Sequence, residues 1–184
     1  MLQKIDTLTI ESSILETKIS GNNENAGLSA DEIAEIREGL SHYPDTQAMC
    51  IEALKIVQRH RRWVSDDALK AIASVLSLSP DEVEGVATFY NLIYRQRVGA
   101  HVIRICDSVS CWMLGYENLV RALKDSLGIE FGSTTPDGQF TLLPGPCLGA
   151  CDHAPVLMVD DNYHFDMSPA AVPLLLEIYR KRLP

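Results

Sequence analysis

The sequence contains no G-x-G-x-x-G and no G-x-x-x-x-G-K-[ST]. It therefore lacks the glycine-rich turns that lay backbone amides against a dinucleotide or a nucleoside triphosphate. There is no Cys-x-x-Cys either, the step that thioredoxin-type dithiol exchange uses. Long apolar runs are missing: the longest stretch free of charged residues and histidine, Gly138 to Cys151, is too short and too rich in Gly and Pro to span a bilayer. Met1 to Lys18 interleaves Lys4, Asp6, Glu11 and Glu16 with apolar residues, so no uninterrupted secretory core is present and a cytoplasmic chain is expected. Positive charge is scarce, with 16 Lys+Arg against 25 Asp+Glu and a net charge of −9. A nucleic-acid partner is not expected, because phosphate-backbone binding needs a concentrated cationic surface.

What remains is a chain of 184 residues, 46% hydrophobic, long enough to bury one ordinary core or two small ones. Residues 1–28 carry weak periodicity and a polar run from Ser20 to Asn25, and read as a loosely ordered leader. Ser29-Ala-Asp-Glu32 then has the pattern of a capping box and predicts a helix to about Gly39. Cys50, Leu54 and Val57 repeat at helical spacing up to about His60. Ser65 before Asp66 and Asp67 predicts a third helix to about Leu76, and Ser79-Pro-Asp-Glu82 a fourth over 80–87. These make a small helical bundle over residues 29–97.

A different pattern occupies residues 98–184. The β-branched alternation of 101–105 predicts a strand that delivers Cys106 to its end. A helix is expected over 115–126, strands over 139–143 and 155–159, a short strand near 163–165, and a last helix from Ser168-Pro169 to about Arg182. The fold class is α+β: a helical bundle followed by a small sheet flanked by helices.

The chemistry lies in the cysteines. Of five, Cys50 falls on the apolar face of a predicted helix and reads as a buried, inert thiol. The other four form two tight pairs, Cys106-x4-Cys111 and Cys147-x3-Cys151. Each pair sits just beyond a predicted strand, so two loops can meet at one edge of the sheet. Four thiolates suit structural zinc or an iron–sulfur cluster. Gaps of four and three residues are wider than zinc knuckles usually use and favour one iron per loop, with zinc or unliganded thiols as the alternatives. Pro144-Gly-Pro146 and Leu148-Gly-Ala150 would let amides approach sulfur, Ser108 and Ser110 could add hydroxyl donors, and Trp112 and Leu148 could exclude water. Cys151-Asp-His153 contains the Cys-x-His step of Rieske sites, but no second such step exists. His42, His60, His101 and His164 read as isolated surface or structural residues.

Four segments together resemble the E-subunit family of bacterial NADH:quinone oxidoreductase, complex I: Cys106-Asp-Ser-Val-Ser-Cys111, Leu142-Leu-Pro-Gly-Pro-Cys-Leu-Gly-Ala-Cys-Asp152, Glu52-Ala-Leu-Lys-Ile-Val-Gln58 and Val83-Glu-Gly-Val-Ala-Thr-Phe-Tyr90. The resemblance spans about residues 29–182 and departs from the family pattern at Arg97, where many relatives carry proline. It implies a thioredoxin-like [2Fe–2S] ferredoxin domain behind a helical bundle, with one cluster bound by Cys106, Cys111, Cys147 and Cys151. It also implies pairing with the flavin- and NADH-binding F-type partner, which would carry FMN and NADH, and with other peripheral-arm subunits. Localisation would then be peripheral, on the cytoplasmic side of the inner membrane. The function implied is one-electron exchange between cluster and flavin, with no acid–base catalysis in this chain. An equivalent subunit of a soluble NAD-linked hydrogenase or formate dehydrogenase is the near alternative, and a zinc-stapled structural adaptor is one of a different class.

Overall fold

A computed structural model describes residues 27–181; the expected leader, apart from Gly27 and Leu28, and the last turn expected near Arg182 lie outside the described residues. Among the described residues four helices come first: α1 (Ala30–Leu40), α2 (Cys50–Arg61), α3 (Asp66–Leu76) and α4 (Pro80–Phe89). Three of the four, α1, α3 and α4, start behind a serine cap, whereas α2 starts after Met49 without a side-chain cap. Ser29 accepts from the Glu32 amide at 3.2 Å while Glu32 returns a carboxylate to the Ser29 amide at 2.7 Å. Ser79 and Glu82 repeat this box, and the Ser65 hydroxyl accepts from the Ala68 amide. The apolar faces of the four helices meet in one core that includes Ile36, Met49, Leu54, Val57, Ile72, Leu76 and Val83. Cys50 is in that core, 1% exposed.

The second half contains β1 (His101–Cys106), α5 (Val109–Met113), α6 (Tyr116–Leu127), β2 (Phe140–Gly145), β3 (Leu157–Val159), β4 (Asn162–His164) and α7 (Val172–Arg180). The strand order is β2-β1-β3-β4, with β1 and β2 parallel and the other two pairings antiparallel. Parallel neighbours require a crossover, and α6 supplies it. Ile103 and Ile105 of β1 pack with Leu119 and Leu123 of α6 and Leu175 and Leu176 of α7 in a second core. This is the α+β arrangement expected from the patterns.

Three details depart from the expectation. A short helix, α5, follows β1 where only a loop was expected; five residues are too few to display a 3.6-residue period. The third strand is shorter than 155–159, because Pro155 has no amide proton to add to a ladder. The last helix begins with a 3-10 turn, Pro169–Ala171, before its α-helical part. Among the described residues no helix is long and apolar enough to cross a membrane.

Candidate metal centre

β1 and β2 run parallel in register, with Cys106 opposite Gly145, so both chains leave the sheet at the same edge. That edge is where the four cysteines gather. Cys106 is the last residue of β1, and Cys111 sits in α5 one loop later; both are 2% exposed. Cys147 follows β2, and Cys151 opens the 3-10 turn Cys151–His153; both are exposed. The Sγ atoms of Cys147 and Cys151 are 3.4 Å apart. Cys106 lies within hydrogen-bonding reach of both Cys111 and Cys147, and the field of Cys106 also acts on Cys151. Cys106 thus interacts with each of the other three, although residues 112–146 separate the pairs in sequence.

Local conformation explains how the sulfurs are addressed. Gly149 has φ +83, a left-handed conformation that a Cβ would disfavour, and its amide donates to Cys147 Sγ at 3.4 Å. The Ser108 hydroxyl lies toward Cys147, the Ser110 hydroxyl toward Cys151 and the Val156 amide toward Cys111, each close enough to favour the thiolate. The Tyr163 hydroxyl donates to the Leu148 carbonyl at 3.2 Å and holds the Cys147–Cys151 loop from below.

These donors and the mutual proximity set the acidities. The Gly149 amide, then the Cys151 thiol and the Ser108 hydroxyl, hold the Cys147 thiol below its ordinary value. Burial pushes Cys111 up to about 11, against the Val156 amide and together with the fields of Cys106 and Cys151. Hydrogen bonding with Cys147 and then its charge push Cys151 up. Four adjacent thiolates repel one another, so full deprotonation needs a cationic centre among them. Four thiols arranged as two close-spaced pairs suit a diiron core, which spreads its ligands over two metals. The donor set therefore fits a [2Fe–2S] group.

The expected shield of Trp112 and Leu148 is half present. Leu148 packs with Tyr116, Ala150, Ala154 and Val156 around Cys106 and Cys111. Trp112 instead lies 58% exposed, its indole N–H donating to Glu117 at 3.3 Å, because α5 turns that face outward when it turns Cys111 inward. Three histidines expected to stand alone are paired: His60 with Glu35, His101 with Asp160 and His164 with the Tyr179 hydroxyl. His101 is buried as well. His153 approaches Asp166 and Asp152 at 3.4 and 3.6 Å. Tyr163 and the Val156 amide were not anticipated as parts of the site; the alternation around 163–165 hinted only at a strand.

The sequence profile of the thioredoxin-like [2Fe–2S] ferredoxins matches residues 36–180. The chain belongs to this family. Its relatives include the NADH-quinone oxidoreductase E subunit of Pseudomonas aeruginosa, 53% identical over 152 residues that make up 83% of this chain and 92% of the relative. The protein of the same name in Escherichia coli K12 is 53% identical over 153 residues, with the same shares of the two chains. Among solved structures, the NAD+-reducing [NiFe]-hydrogenase in its air-oxidized state superposes with TM-score 0.61 at 23% identity, over 71% of this chain and 23% of the hydrogenase chain. At that identity the likeness shows a shared fold. The chain spans about a quarter of the hydrogenase chain that it matches.

Proposed function

We infer that the chain is the [2Fe–2S] electron-transfer subunit of an NADH-quinone oxidoreductase, and that Cys106, Cys111, Cys147 and Cys151 hold its cluster. The observation that carries the reading is the convergence of the two cysteine pairs at the shared C-terminal edge of β1 and β2. When bound, the [2Fe–2S] group supplies reversible uptake of a single electron.

The residues divide the remaining tasks. Cys106 and Cys111 are held in buried positions by β1 and α5, and with Leu148, Tyr116 and Val156 they keep water from one side. Cys147 and Cys151 stand exposed and offer the other side to a redox partner. The Gly149 amide, the Val156 backbone and the two serine hydroxyls stabilise negative charge on sulfur, and so favour the reduced state. With nine more acidic than basic residues in the whole chain, these short-range donors are the main counterweight to charge repulsion. No side chain is assigned to proton transfer; the hydride chemistry of NADH belongs to a flavin, FMN, on the NADH-binding F-type partner. The chain is then peripheral to the membrane on its cytoplasmic side, attached through the complex.

The test is to recover the tagged chain from its native host in mild detergent. A flavoprotein that oxidises NADH and bleaches the visible absorbance of the complex is the expected company. Recovery with a hydrogenase or formate dehydrogenase instead, or with no flavoprotein, contradicts the assignment.

A further inference from the structure

Alternation along β1 places Val102, Arg104 and Cys106 on the face opposite Ile103 and Ile105. The isoleucines are taken up by the core under α6 and α7. The other face looks toward α2, and between the two lies a cleft of about 490 Å3, in the size range of small-molecule sites. Arg104 lines it and is only 7% exposed. A guanidinium carries five N–H donors, yet the acceptor found for Arg104 is one neutral group, the Asp160 carbonyl at 3.3 Å. Its Nε is buried without a partner. A buried cation with so few acceptors is costly unless something else supplies them.

Most of the other charged residues in the lining have the same sign. Arg62, at the C-terminal end of α2, donates to the Gly99 and Ala100 carbonyls, which are neutral and leave its charge uncompensated. Lys55 and Arg59 stand at the mouth on the next turns of α2, paired with Glu52 and Glu35 but exposed enough to turn inward. Two carboxylates also line the cleft. That of Asp160 is engaged by His101 Nδ1 and the Val102 amide, and that of Asp161 is exposed at the rim. The cleft therefore gathers four cationic heads in a chain of net charge −9. Tyr90 and Tyr94 form an aromatic side wall.

We propose that this cleft binds a phosphorylated small molecule, with its phosphate oxygens on Arg104 and Arg62 and its organic part along the tyrosines. The glycine-rich motifs that the sequence lacks cradle phosphate on backbone amides; here the donors are side-chain forks, whose planar geometry matches oxyanions. Two guanidiniums backed by Lys55 and Arg59 suit a multiply charged group better than a single carboxylate. None of the four clustered cysteines lines the cleft, so it is separate from the metal centre.

The test is calorimetric titration of the cluster-containing chain with ADP and with pyrophosphate at 0.15 M salt, with citrate as the carboxylate control. Saturable binding of one ADP is expected, weakened tenfold or more by Arg104→Met and threefold or more by the exposed pair Lys55→Met and Arg59→Met. Unchanged visible absorbance reports that each variant is folded. Should Arg104→Met fail to fold, the double variant decides. No saturable heat from either phosphate compound, equal binding by the folded variants, or citrate binding as tightly as ADP overturns the proposal.

Discussion

Arg62 donates from Nη2 to the carbonyl of Gly99 at 2.8 Å, and this bond fastens the C-terminal end of α2 to the segment that leads into β1. Arg62 takes a left-handed conformation, φ 67, as the C-cap of α2, which aims its side chain across the boundary between the two halves. On the other side of the same junction, the Gly99 amide donates to the Thr141 hydroxyl at 2.7 Å. The sheet that carries the cysteines is thus tied to the bundle at Gly99 and its neighbour Ala100.

Gly99 cannot accept a side chain there. A Cβ would lie 2.9 Å from the Gly138 carbonyl oxygen and 3.0 Å from the carbonyl carbons of Gln139 and Phe140, all backbone atoms that cannot swing away. Gly99→Ala should cost about 1–3 kcal/mol through this overpacking. Urea unfolding against the parent chain measures it; an unchanged midpoint would show that the junction yields.

Glu32 is 1% exposed and bound by Arg61. Burial opposes its ionisation, but the hydrogen bond and charge of Arg61 and the Ser29 amide outweigh this and hold its carboxyl below the ordinary value of 4.5. A depressed folded value means that the pair's stabilisation is complete above the ordinary value and is lost as pH falls through the folded one. Glu32→Gln keeps the capping geometry and removes the charge. It should cost about 1–3 kcal/mol at pH 7, and the gap between parent and variant should shrink below pH 4.5. A gap that stays constant with pH would place the effect elsewhere.

Cys50→Ser should leave the visible spectrum as it is, because Cys50 lies in the bundle core and not at the sheet edge. A hydroxyl without a partner in that core should cost about 1–3 kcal/mol. Spectroscopy and unfolding on one preparation separate the two effects; bleaching would assign Cys50 a role at the metal.

Ser108→Ala removes a hydroxyl donor from the Cys147 sulfur while leaving all four thiols in place. Because that donor favours the more negative reduced state, its loss should lower the reduction potential with little change in iron content. A redox titration followed by EPR reads the shift, and a raised potential would contradict the role given to the hydroxyl.

Much of this architecture was legible in the residues. Ser29, Ser65 and Ser79 announced their helices because capping is a local exchange between atoms three residues apart. The alternation of 101–105 marked β1 for a similarly local reason. The cysteine spacing pointed to iron–sulfur over zinc, but only through loop geometry, and the family resemblance supplied the proposed assignment of all four cysteines as ligands. Long-range consequences were hidden. That Trp112 faces outward follows from how α5 rolls to bury Cys111, and the pairing of His101 with Asp160 joins residues far apart in sequence. The burial of Arg104 under α2 depends on how two halves dock, which no local period encodes.

The most direct measurement is metal analysis of the anaerobically purified chain, joined to EPR after dithionite reduction. The account predicts two irons and two acid-labile sulfides per chain with a rhombic one-electron signal, both lost in Cys147→Ser. A colourless, EPR-silent protein that carries stoichiometric zinc on the same four cysteines would contradict it.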